Sequence, residues 1–531
     1  MKSLMKKVFA AAAAIATVFG LAATTVATAN AADNATLTVS TTDAKFAGKT
    51  VNAYKMFSAT VSGDGKAVSY TLTDGWKPFF KNSTFDGLTG VTDENVNDQA
   101  NAYVSKLTGD DLVAFATKAS NWAQTKTNNV TAGATARVSN NATDGKYTAT
   151  FNNLDYGYYV VAVPGATLAN ASGQYATLVS VDSTNVTATI KGDLPTVDKK
   201  VQVGGTGKDA TDAKIGDTLT FTLTSTIPDM SAYDTYTFNF KDTLSQGLTF
   251  GQVTSVTVEG VTDPLTVNTD YTVTTPTVSD NTLTVAMKDF KAKQQANAGK
   301  KITVTYTATL NEKAVVGGVG NTNSAKIQYS NNPSGGGTGE SEPSKVRVFT
   351  YGFTVDKYTG DKYDDDATRL AGAEFTLAPK NGTAMSFVRV DAGSATKNAV
   401  YRVAKAGETG TTTITTPANG KVDFQGLKNG EYTLTETKAP AGYNKLASAI
   451  GVKVDGQNDG TDTTDATVAI TYNNDNGNSY NQTASNGVIP VQNKSGAILP
   501  GTGGMGTIAF TVIGVLVIAL GVAWTLKRKN A

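Results

Sequence analysis

Short runs of alternating apolar and polar residues recur along most of the chain. Residues 218–223 read Thr-Leu-Thr-Phe-Thr-Leu, and residues 301–306 read Lys-Ile-Thr-Val-Thr-Tyr. Successive side chains of a β-strand point to opposite faces, so this alternation predicts strands with one buried and one polar face. Gly, Asn and Asp separate the runs at short intervals, as turns do in β-sandwiches. The pattern predicts an all-β protein built from tandem, immunoglobulin-like β-sandwich domains.

One segment departs from this alternation. From about residue 93 to 125, Ala, Leu, Val and Phe recur at helical spacing, and Leu112, Phe115 and Ala116 are among them. Apolar residues three and four positions apart share one face of a helix. We therefore predict a helical insertion in the first domain.

Linker-like segments divide the chain. Residues 193–195 (Asp-Leu-Pro) separate a first domain, residues 32–192, from a second domain, residues 193–350. A Gly- and Ser-rich stretch at residues 331–344 marks the end of the second core. The third domain then spans residues 351–495. About 470 residues suffice for three domains that each bury a core.

The first 31 residues have the pattern of a signal peptide. Three lysines within the first seven residues precede an apolar run from residue 8 to about residue 21, and small residues follow up to Ala31. A positive start, a short apolar run and small residues at the cleavage site are typical of export signals. The alternative, a membrane span, requires a longer apolar run. We therefore predict a secreted protein.

The last segment, residues 496–531, contains three features in a fixed order. Residues 506–526 are uncharged and largely apolar, which is long enough to cross a bilayer as a helix, and a basic tail follows. A pentapeptide stands before the span: Leu499, Pro500, Gly501, Thr502 and Gly503. It resembles the LPxTG sorting signal of sortase substrates, which implies cleavage between Thr502 and Gly503 and transfer of the Thr502 carboxyl to an amine. The alternative is a single-span membrane protein with an accidental pentapeptide.

Composition excludes several classes of function. Lys and Arg number 46 and Asp and Glu 45, so the net charge of +1 creates no field that recruits nucleic acid. The chain has no Cys and no His, which removes disulfides, thiolate or imidazole zinc sites and His-dependent catalytic triads. No paired-carboxylate pattern stands out. We expect no enzyme acting on an external substrate, no cofactor and no metal.

The third domain carries a motif that resembles a known one. Residues 432–443 read Tyr-Thr-Leu-Thr-Glu-Thr-Lys-Ala-Pro-Ala-Gly-Tyr, which is similar to the E-box of CnaB-type domains in Gram-positive pilins and collagen-type adhesins. The resemblance implies an intramolecular amide (isopeptide) bond between Lys357 and Asn493, with Glu436 as its catalyst. In all three strands the polar residue shares a face with apolar neighbours two positions away, so all three side chains should point into the core.

Burial explains how such a bond forms. Desolvation lowers the pKa of a lysine and raises that of a carboxylic acid, so the amine becomes nucleophilic and the acid polarises the amide carbonyl. The amine attacks, and ammonia leaves. The alternative is a Lys357 whose stem is buried and whose head reaches solvent, with Glu436 and Asn493 at the surface.

The second domain has a comparable set of residues. Alternation places Lys199, Asp242 and Asn323 on inward faces and Lys200 outside. Residues 242–248 (Asp-Thr-Leu-Ser-Gln-Gly-Leu) resemble the D2-type isopeptide domain of fimbrial subunits. This resemblance implies Lys199 as nucleophile, Asn323 as acceptor and Asp242 as catalyst. The alternative is that the three polar residues are unrelated.

These bonds have a mechanical consequence. An amide between the first and last strands of a sandwich puts a covalent bond under tension when the termini are pulled. It also constrains the unfolded chain as a long-loop disulfide does, without being reducible. The bonds would take the place of the missing disulfides.

Two functions remain for such a chain: a subunit of a covalently polymerised pilus, or a monomeric wall-anchored adhesin. In major pilins a lysine in a VYPK-type motif at the end of the first domain accepts the Thr carboxyl of the next subunit. The corresponding lysine here is Lys191, although Thr189 and Ile190 replace Tyr and Pro. Because Val186, Ala188 and Ile190 alternate inward, Lys191 should face water. The other two candidates are Lys200 and Lys199.

The resemblance to sortase-assembled major pilins implies a set of partners and a location. The partners are a class C (pilin) sortase and a housekeeping sortase, other copies of the chain joined by a bond between Lys191 and Thr502, minor pilins, and peptidoglycan. A host matrix protein or glycan would be the receptor, and no nucleic acid partner is expected. The implied location is a pilus anchored to the cell wall. The chain is identified as a structural subunit that supports adhesion.

Overall fold

The computed structural model describes residues 34–496 and Ile518, except residues 63–66, 83–84, 169–175, 334–335, 364, 458–459, 462–463 and 475–478. In this part of the chain the strands form six sheets. Each of three consecutive segments contributes two sheets that enclose apolar side chains. The predicted all-β class is confirmed.

The first sandwich contains eight strands and three α-helices among its described residues. Its elements are β1 (Ala35–Thr41), β2 (Thr50–Val61), β3 (Val68–Leu72), α1 (Lys77–Asn82), α2 (Val96–Val104), α3 (Gly109–Gln124), β4 (Ala134–Arg137), β5 (Tyr147–Leu154), β6 (Gly157–Ala162), β7 (Thr177–Val181) and β8 (Asn185–Thr189), with short 3₁₀ turns at Ala44–Phe46, Asp74–Trp76 and Lys126–Asn128. One sheet has the order β5-β1-β8, in which β1 and β8 are parallel. The other has the order β3-β2-β6-β7, with β4 also paired to β2.

The helical insertion is confirmed, but it consists of two helices where one continuous region was predicted. Thr108 is extended and Gly109 adopts φ +53°, a left-handed conformation that glycine tolerates best. The chain therefore turns between α2 and α3. Phe115 and Ala116 are buried, whereas Leu112 is only half-buried. Together with α1, these helices cover one face of the second sheet and enclose an aromatic core of their own.

The second sandwich follows with twelve described strands. Its elements are β9 (Asp198–Val203), β10 (Thr206–Lys208), β11 (Ala210–Asp212), β12 (Thr218–Thr226), β13 (Phe238–Leu244), β14 (Leu248–Val258), β15 (Tyr271–Thr274), β16 (Thr282–Met287), α4 (Phe290–Gln294), a 3₁₀ turn at Gln295–Asn297, β17 (Lys301–Leu310), β18 (Asn321–Ser330), β19 (Thr338–Glu340) and β20 (Ser344–Phe349). One sheet is ordered β10-β9-β12-β17-β14. The facing sheet is ordered β11-β20-β18-β13-β16-β15, with β19 beside β18.

The third sandwich has eleven described strands. Its elements are β21 (Tyr351–Tyr358), a 3₁₀ turn at Asp366–Thr368, β22 (Glu374–Pro379), β23 (Phe387–Asp391), β24 (Ala399–Val403), β25 (Ile414–Thr415), β26 (Lys421–Leu427), β27 (Gly430–Lys438), β28 (Ile450–Gln457), β29 (Thr467–Asn473), β30 (Gln482–Thr483) and β31 (Val488–Gln492). The sheets have the orders β23-β24-β26-β21-β31 and β25-β22-β27-β28-β29-β30.

The second and third sandwiches are joined without a flexible linker. Only Thr350 separates β20 from β21, and its buried hydroxyl donates to the Leu427 carbonyl at 2.9 Å. Asp212 Oδ2 accepts from the backbone N–H of Asn429 at 2.7 Å across the same junction. These contacts hold the two sandwiches in a defined orientation.

Several predictions concern residues at the two ends of the chain. The predicted signal peptide (residues 1–31) and the pentapeptide from Leu499 to Gly503 lie outside the described residues. So does the predicted span, apart from Ile518. Within the described part of the chain, no helix has the length and apolar composition needed to cross a membrane.

Candidate functional site

Four polar side chains meet in the core of the second sandwich. Lys199 Nζ donates to Asp242 Oδ2 at 2.6 Å and to the Tyr306 hydroxyl at 2.9 Å. Asn323 Nδ2 donates to the same hydroxyl at 2.6 Å, and this hydroxyl donates to Asp242 Oδ2. All four side chains have 0% relative exposure. We call this set the Lys199 cluster.

Strand register explains the meeting. Asp242 on β13 lies opposite Ala325 on β18, and Asn323 lies opposite Leu244, so Asp242 and Asn323 are diagonal neighbours on one face. Lys199 on β9 and Tyr306 on β17 belong to the facing sheet. The cluster therefore spans the two sheets.

Burial controls the protonation of the lysine. It lowers the pKa of Lys199 to about 8, against the opposing effect of the Asp242 carboxylate. Phe221 and Tyr306 stack with ring centroids 5.3 Å apart, and Lys199 Nζ lies 5.1 Å from each centroid. An amine in this position holds its proton less tightly than an exposed lysine does.

Two oxygens of the cluster have no hydrogen-bond donor among the described residues: Asp242 Oδ1 and Asn323 Oδ1. A buried acceptor without a donor costs about 1–3 kcal/mol. If the Asp242 carboxyl carried a proton, its O–H group would be the hydrogen-bond donor that the cluster lacks. Such a proton could come from Lys199, which already contacts the carboxyl.

The third sandwich has a second buried cluster. Lys357 Nζ lies 3.7 Å from Glu436 Oε1 and donates to the Val491 carbonyl at 3.0 Å. Glu436 Oε2 accepts from Asn493 Nδ2 at 3.0 Å and from the Leu446 N–H at 2.8 Å. We call Lys357, Glu436 and Asn493 the Lys357 cluster; all three side chains are buried.

The elements around this cluster bring the ends of the sandwich together. Lys357 lies on β21, which pairs in parallel with β31, and the N–H of Asn493 donates to the Tyr358 carbonyl at 3.0 Å. Glu436 comes from β27 in the facing sheet. The amine is therefore on the first described strand of this sandwich, the amide comes directly after the last one, and the carboxyl faces both from across the core.

The chemistry of this cluster matches that of the first. Burial lowers the pKa of Lys357 to about 8, while Glu436 opposes the shift. Glu436 Oε1 and Asn493 Oδ1 lack a hydrogen-bond donor among the described residues. Amide exchange needs three groups: an amine that releases its proton readily, a carboxyl group and an amide carbonyl. The Lys357 cluster contains all three.

The expectation that each bond joins first and last strands is wrong for the second sandwich. Asn323 lies on β18, and the chain then forms β19 and β20 before it leaves the sandwich. The reason is that β20 pairs with β18 and with β11 at the far side of this sheet. A bond from Lys199 to Asn323 would join the two sheets and leave residues 324–350 outside its loop.

The three candidate linkage lysines differ in their surroundings. Lys199 is fully buried, so it is inaccessible to an enzyme in the folded protein. Lys200 pairs with Asp209 at 2.6 Å and with Asp198 at 3.2 Å. Lys191 is half-buried, just beyond β8, and makes no hydrogen bond or ion pair with the described residues. The predicted partner Thr502 lies outside them.

The segment before Lys191 packs as its alternation predicts. Val186, Ala188 and Ile190 lie against the core, and Thr187 and Thr189 are exposed. Since β8 pairs only with β1 among the described strands, Lys191 follows a strand at the edge of its sheet.

The first sandwich has no comparable cluster among its described residues. Its buried polar side chains are Ser120, Gln124 and Thr167, and no buried lysine, aspartate or glutamate accompanies them.

Sequence reasoning missed Tyr306. Its inward direction could have been found, because it shares a face with Ile302 and Val304 in an alternating run. The run itself gave no reason to connect the hydroxyl with Lys199, Asp242 and Asn323, which lie on three other strands.

Two families match parts of the chain. Residues 215–333 match the family described as Gram-positive pilin backbone subunit 2, Cna-B-like domain. Residues 356–475 match the SpaA family, described as a prealbumin-like fold domain. The first match includes Asp242 and Asn323, and the second includes Lys357 and Glu436.

Individual proteins are similar as well. The trypsin-resistant surface T6 protein of Streptococcus pyogenes serotype M6 is 27% identical in an alignment of 320 residues that covers 56% of this chain and 56% of that protein, so the chain spans a little over half the length of this relative. The solved T6 backbone pilin of that serotype has a TM-score of 0.47 and 19% identity over 88% of this chain and 99% of that chain. The full-length major pilin SpaD from Corynebacterium diphtheriae has a TM-score of 0.38 and 20% identity over 87% of this chain and 98% of that chain. The family matches and the T6 relative confirm the predicted resemblance to Gram-positive backbone pilins.

Proposed function

We propose that the chain is the structural backbone subunit of a sortase-polymerised pilus anchored to the cell wall. The observation that carries this proposal is the match of residues 215–333 to the pilin backbone family. The two buried clusters of lysine, carboxyl and amide side chains add support, since a shaft under tension benefits from covalent bonds inside its subunits.

Each cluster forms one isopeptide bond in this proposal. The lysine ammonium gives a proton to the carboxyl, and the neutral amine attacks the amide carbon of the asparagine. A new C–N bond forms, the bond to the asparagine nitrogen breaks, and this nitrogen leaves as ammonia. The bonds join Lys199 to Asn323 and Lys357 to Asn493. Asp242 and Glu436 serve as the acids and bases of these reactions.

Intact mass tests the bonds. The secreted region from Asn34 to Thr502 should weigh two ammonia molecules less than its sequence requires. Peptide mapping should recover two crosslinked peptides, one for each lysine–asparagine pair. An unmodified mass would contradict the proposed bonds and favour ordinary sandwich domains.

Polymerisation is proposed to join the Thr502 carboxyl of one subunit to Lys191 of the next. Lys191 fits an acceptor because it is partly accessible and its amine makes no hydrogen bond or ion pair with the described residues. A class C sortase would catalyse this step, and a housekeeping sortase would attach the finished pilus to peptidoglycan. Minor pilins and a host matrix protein or glycan complete the proposed set of partners.

Co-expression with a class C sortase tests the linkage. The parent chain should give a ladder of covalent polymers on a denaturing gel, and Lys191→Ala should abolish it. The control Lys301→Ala removes an exposed lysine of the second sandwich and should leave the ladder intact. A ladder lost only in Lys200→Ala would move the linkage to Lys200. A parent chain that stays monomeric on the wall would favour the alternative, an unpolymerised surface adhesin.

A further inference from the structure

We propose that Tyr306 is a catalytic residue in the second sandwich: its hydroxyl delivers the proton with which the Asn323 nitrogen leaves as ammonia. This inference rests on the proposed Lys199–Asn323 bond and deepens it. It concerns the second sandwich alone.

The contacts of the hydroxyl carry the inference. Its oxygen lies 2.9 Å from Lys199 Nζ and 2.6 Å from Asn323 Nδ2, and it is hydrogen-bonded to Asp242 Oδ2. A hydroxyl has one donor and two acceptor positions. Tyr306 uses all three, because it accepts from both nitrogens and donates to the carboxyl. In the reaction, Lys199 Nζ must lose a proton and Asn323 Nδ2 must gain one. Both of these nitrogens are hydrogen-bonded to the Tyr306 oxygen.

In the described part of the chain, no other acid is hydrogen-bonded to the leaving nitrogen. Among the hydrogen bonds of the described residues, Asn323 Nδ2 bonds only to Tyr306. Asp242 bonds to Lys199 and Tyr306 but makes no hydrogen bond with Asn323 in the described structure. Asp242 can thus take the first proton from Lys199 directly, whereas the leaving group needs the hydroxyl.

The protons balance through three transfers. Lys199 begins with three protons and gives the first to Asp242. The neutral amine then attacks the side-chain carbonyl carbon of Asn323. The attacking nitrogen gives its second proton to the Tyr306 oxygen while Tyr306 gives its own to Nδ2, so the hydroxyl is unchanged. The bond from carbon to Nδ2 breaks, ammonia leaves, and the third proton stays on the new amide.

The Lys357 cluster indicates why the tyrosine is needed. There the carboxyl itself contacts the leaving nitrogen, since Glu436 Oε2 lies 3.0 Å from Asn493 Nδ2. Aspartate is one methylene shorter than glutamate, and in the Lys199 cluster the Tyr306 hydroxyl connects Asp242 to the asparagine. The Lys357 cluster is therefore an internal control within the same chain.

Packing is the alternative role for Tyr306, because its ring stacks on Phe221. Tyr306→Phe keeps the ring and removes the hydroxyl. Tyr329→Phe is the matched control: Tyr329 is a buried tyrosine of the same sandwich, and its hydroxyl makes no hydrogen bond with the described residues.

The experiment follows both crosslinked peptides over time after cell-free synthesis of the full chain. In Tyr306→Phe the Lys199–Asn323 peptide should form about a hundredfold more slowly or not at all, as expected for loss of a general acid. The Lys357–Asn493 peptide should form at the parental rate, and Tyr329→Phe should match the parent for both. A parental rate for the Lys199–Asn323 peptide in Tyr306→Phe would overturn the role of Tyr306 alone. Absence of this peptide from the parent chain would overturn the proposed bond as well.

A second measurement applies even when Tyr306→Phe does not fold. Fluorotyrosine at position 306 keeps the shape of the side chain but has a more acidic hydroxyl. Its incorporation should change the rate of formation of the Lys199–Asn323 bond and shift the pH profile of this rate, with no effect on the Lys357–Asn493 bond. An unchanged rate and profile would overturn the proton transfer and leave Tyr306 a packing role.

Discussion

At the scale of single residues, both clusters consist of groups that are expensive to bury. A lysine and a carboxylate lose several kcal/mol of hydration each, and their attraction often fails to offset this loss. Lys199, Asp242, Lys357 and Glu436 are nevertheless buried. An isopeptide bond removes the amine as an ionisable group, so the reaction itself would relieve the cost of burying it.

The Glu436→Ala substitution should leave the third sandwich folded but without its crosslink. Because the bond closes a loop of more than 100 residues, its loss should lower the free energy of unfolding by about 5 kcal/mol, by analogy with a long-loop disulfide. Peptide mapping and calorimetry measure the two effects. Glu431→Ala is the control, since Glu431 is exposed on the same strand and pairs with Lys380. Retention of the Lys357–Asn493 peptide in Glu436→Ala would contradict the assignment of Glu436.

An uncrosslinked third sandwich should become more stable at high pH. In Asn493→Ala, Lys357 keeps its amine, whose pKa burial lowers from 10.5 to about 8. Between these pH values the unfolded chain holds a proton that the folded chain has released, so stability rises with pH. The full effect is on the order of 3 kcal/mol, and it should appear in thermal melts from pH 7 to pH 10.5.

The control for this pH dependence is the double variant Asn493→Ala with Lys357→Met, which lacks the amine. Other lysines and tyrosines titrate alike in the two variants. The difference in stability between them should therefore change as the pH rises through 8. A difference that stays constant would mean that the Lys357 amine is not perturbed in the folded state.

At the scale of elements, the junction between β20 and β21 depends on close packing. A methyl group at Gly456 on β28 would lie 2.0 Å from the Tyr351 ring on β21, which is far inside a normal contact. The glycine therefore permits the approach of these two strands where the second sandwich meets the third.

Replacement of Gly456 by alanine should destabilise this junction. Overpacking of a buried site typically costs 1–3 kcal/mol, so the melting temperature of the third sandwich should fall by several degrees. Gly133→Ala is the control, because its added carbon would lie 3.6 Å from the nearest atom, an ordinary contact. Equal melting curves for the two variants would show that the junction adapts freely.

At the scale of the whole molecule, the proposed bonds define a path for tension. Force entering at Lys191 would pass through the Lys199–Asn323 bond, along residues 324–356, and through the Lys357–Asn493 bond. The first sandwich lies before Lys191 and is outside this path. Its lack of a buried lysine and carboxylate among the described residues agrees with such a route.

Single-molecule pulling should separate the protected and unprotected segments. Because the chain has no cysteine, Lys191→Cys and Thr502→Cys provide unique attachment points. The main extensible part is residues 324–356, which reach about 110 Å at roughly 3.4 Å per residue. Adding Asn323→Ala and Asn493→Ala should release the two locked loops and lengthen the chain by about 900 Å more. Equal extension of the two forms would contradict the crosslinks.

Much of the fold and of each cluster follows from the sequence alone. The alternation with period two determines which face each strand residue occupies, because neighbouring side chains of a strand point in opposite directions. It correctly put Lys199, Asp242, Asn323, Lys357 and Glu436 inside. The helical spacing around Phe115 likewise predicted the insertion in the first sandwich.

Tertiary structure decided what those inward side chains contact. Period-two alternation carries no information about which strands pair, so it did not reveal that Asn323 lies on β18 with β20 still to follow. Nor did it bring the Tyr306 hydroxyl to Lys199, since the two residues are 107 positions apart and meet only when β9 and β17 join one sheet. A strand's own residues determine its buried face, whereas the packing of distant strands determines which buried groups are close enough to react.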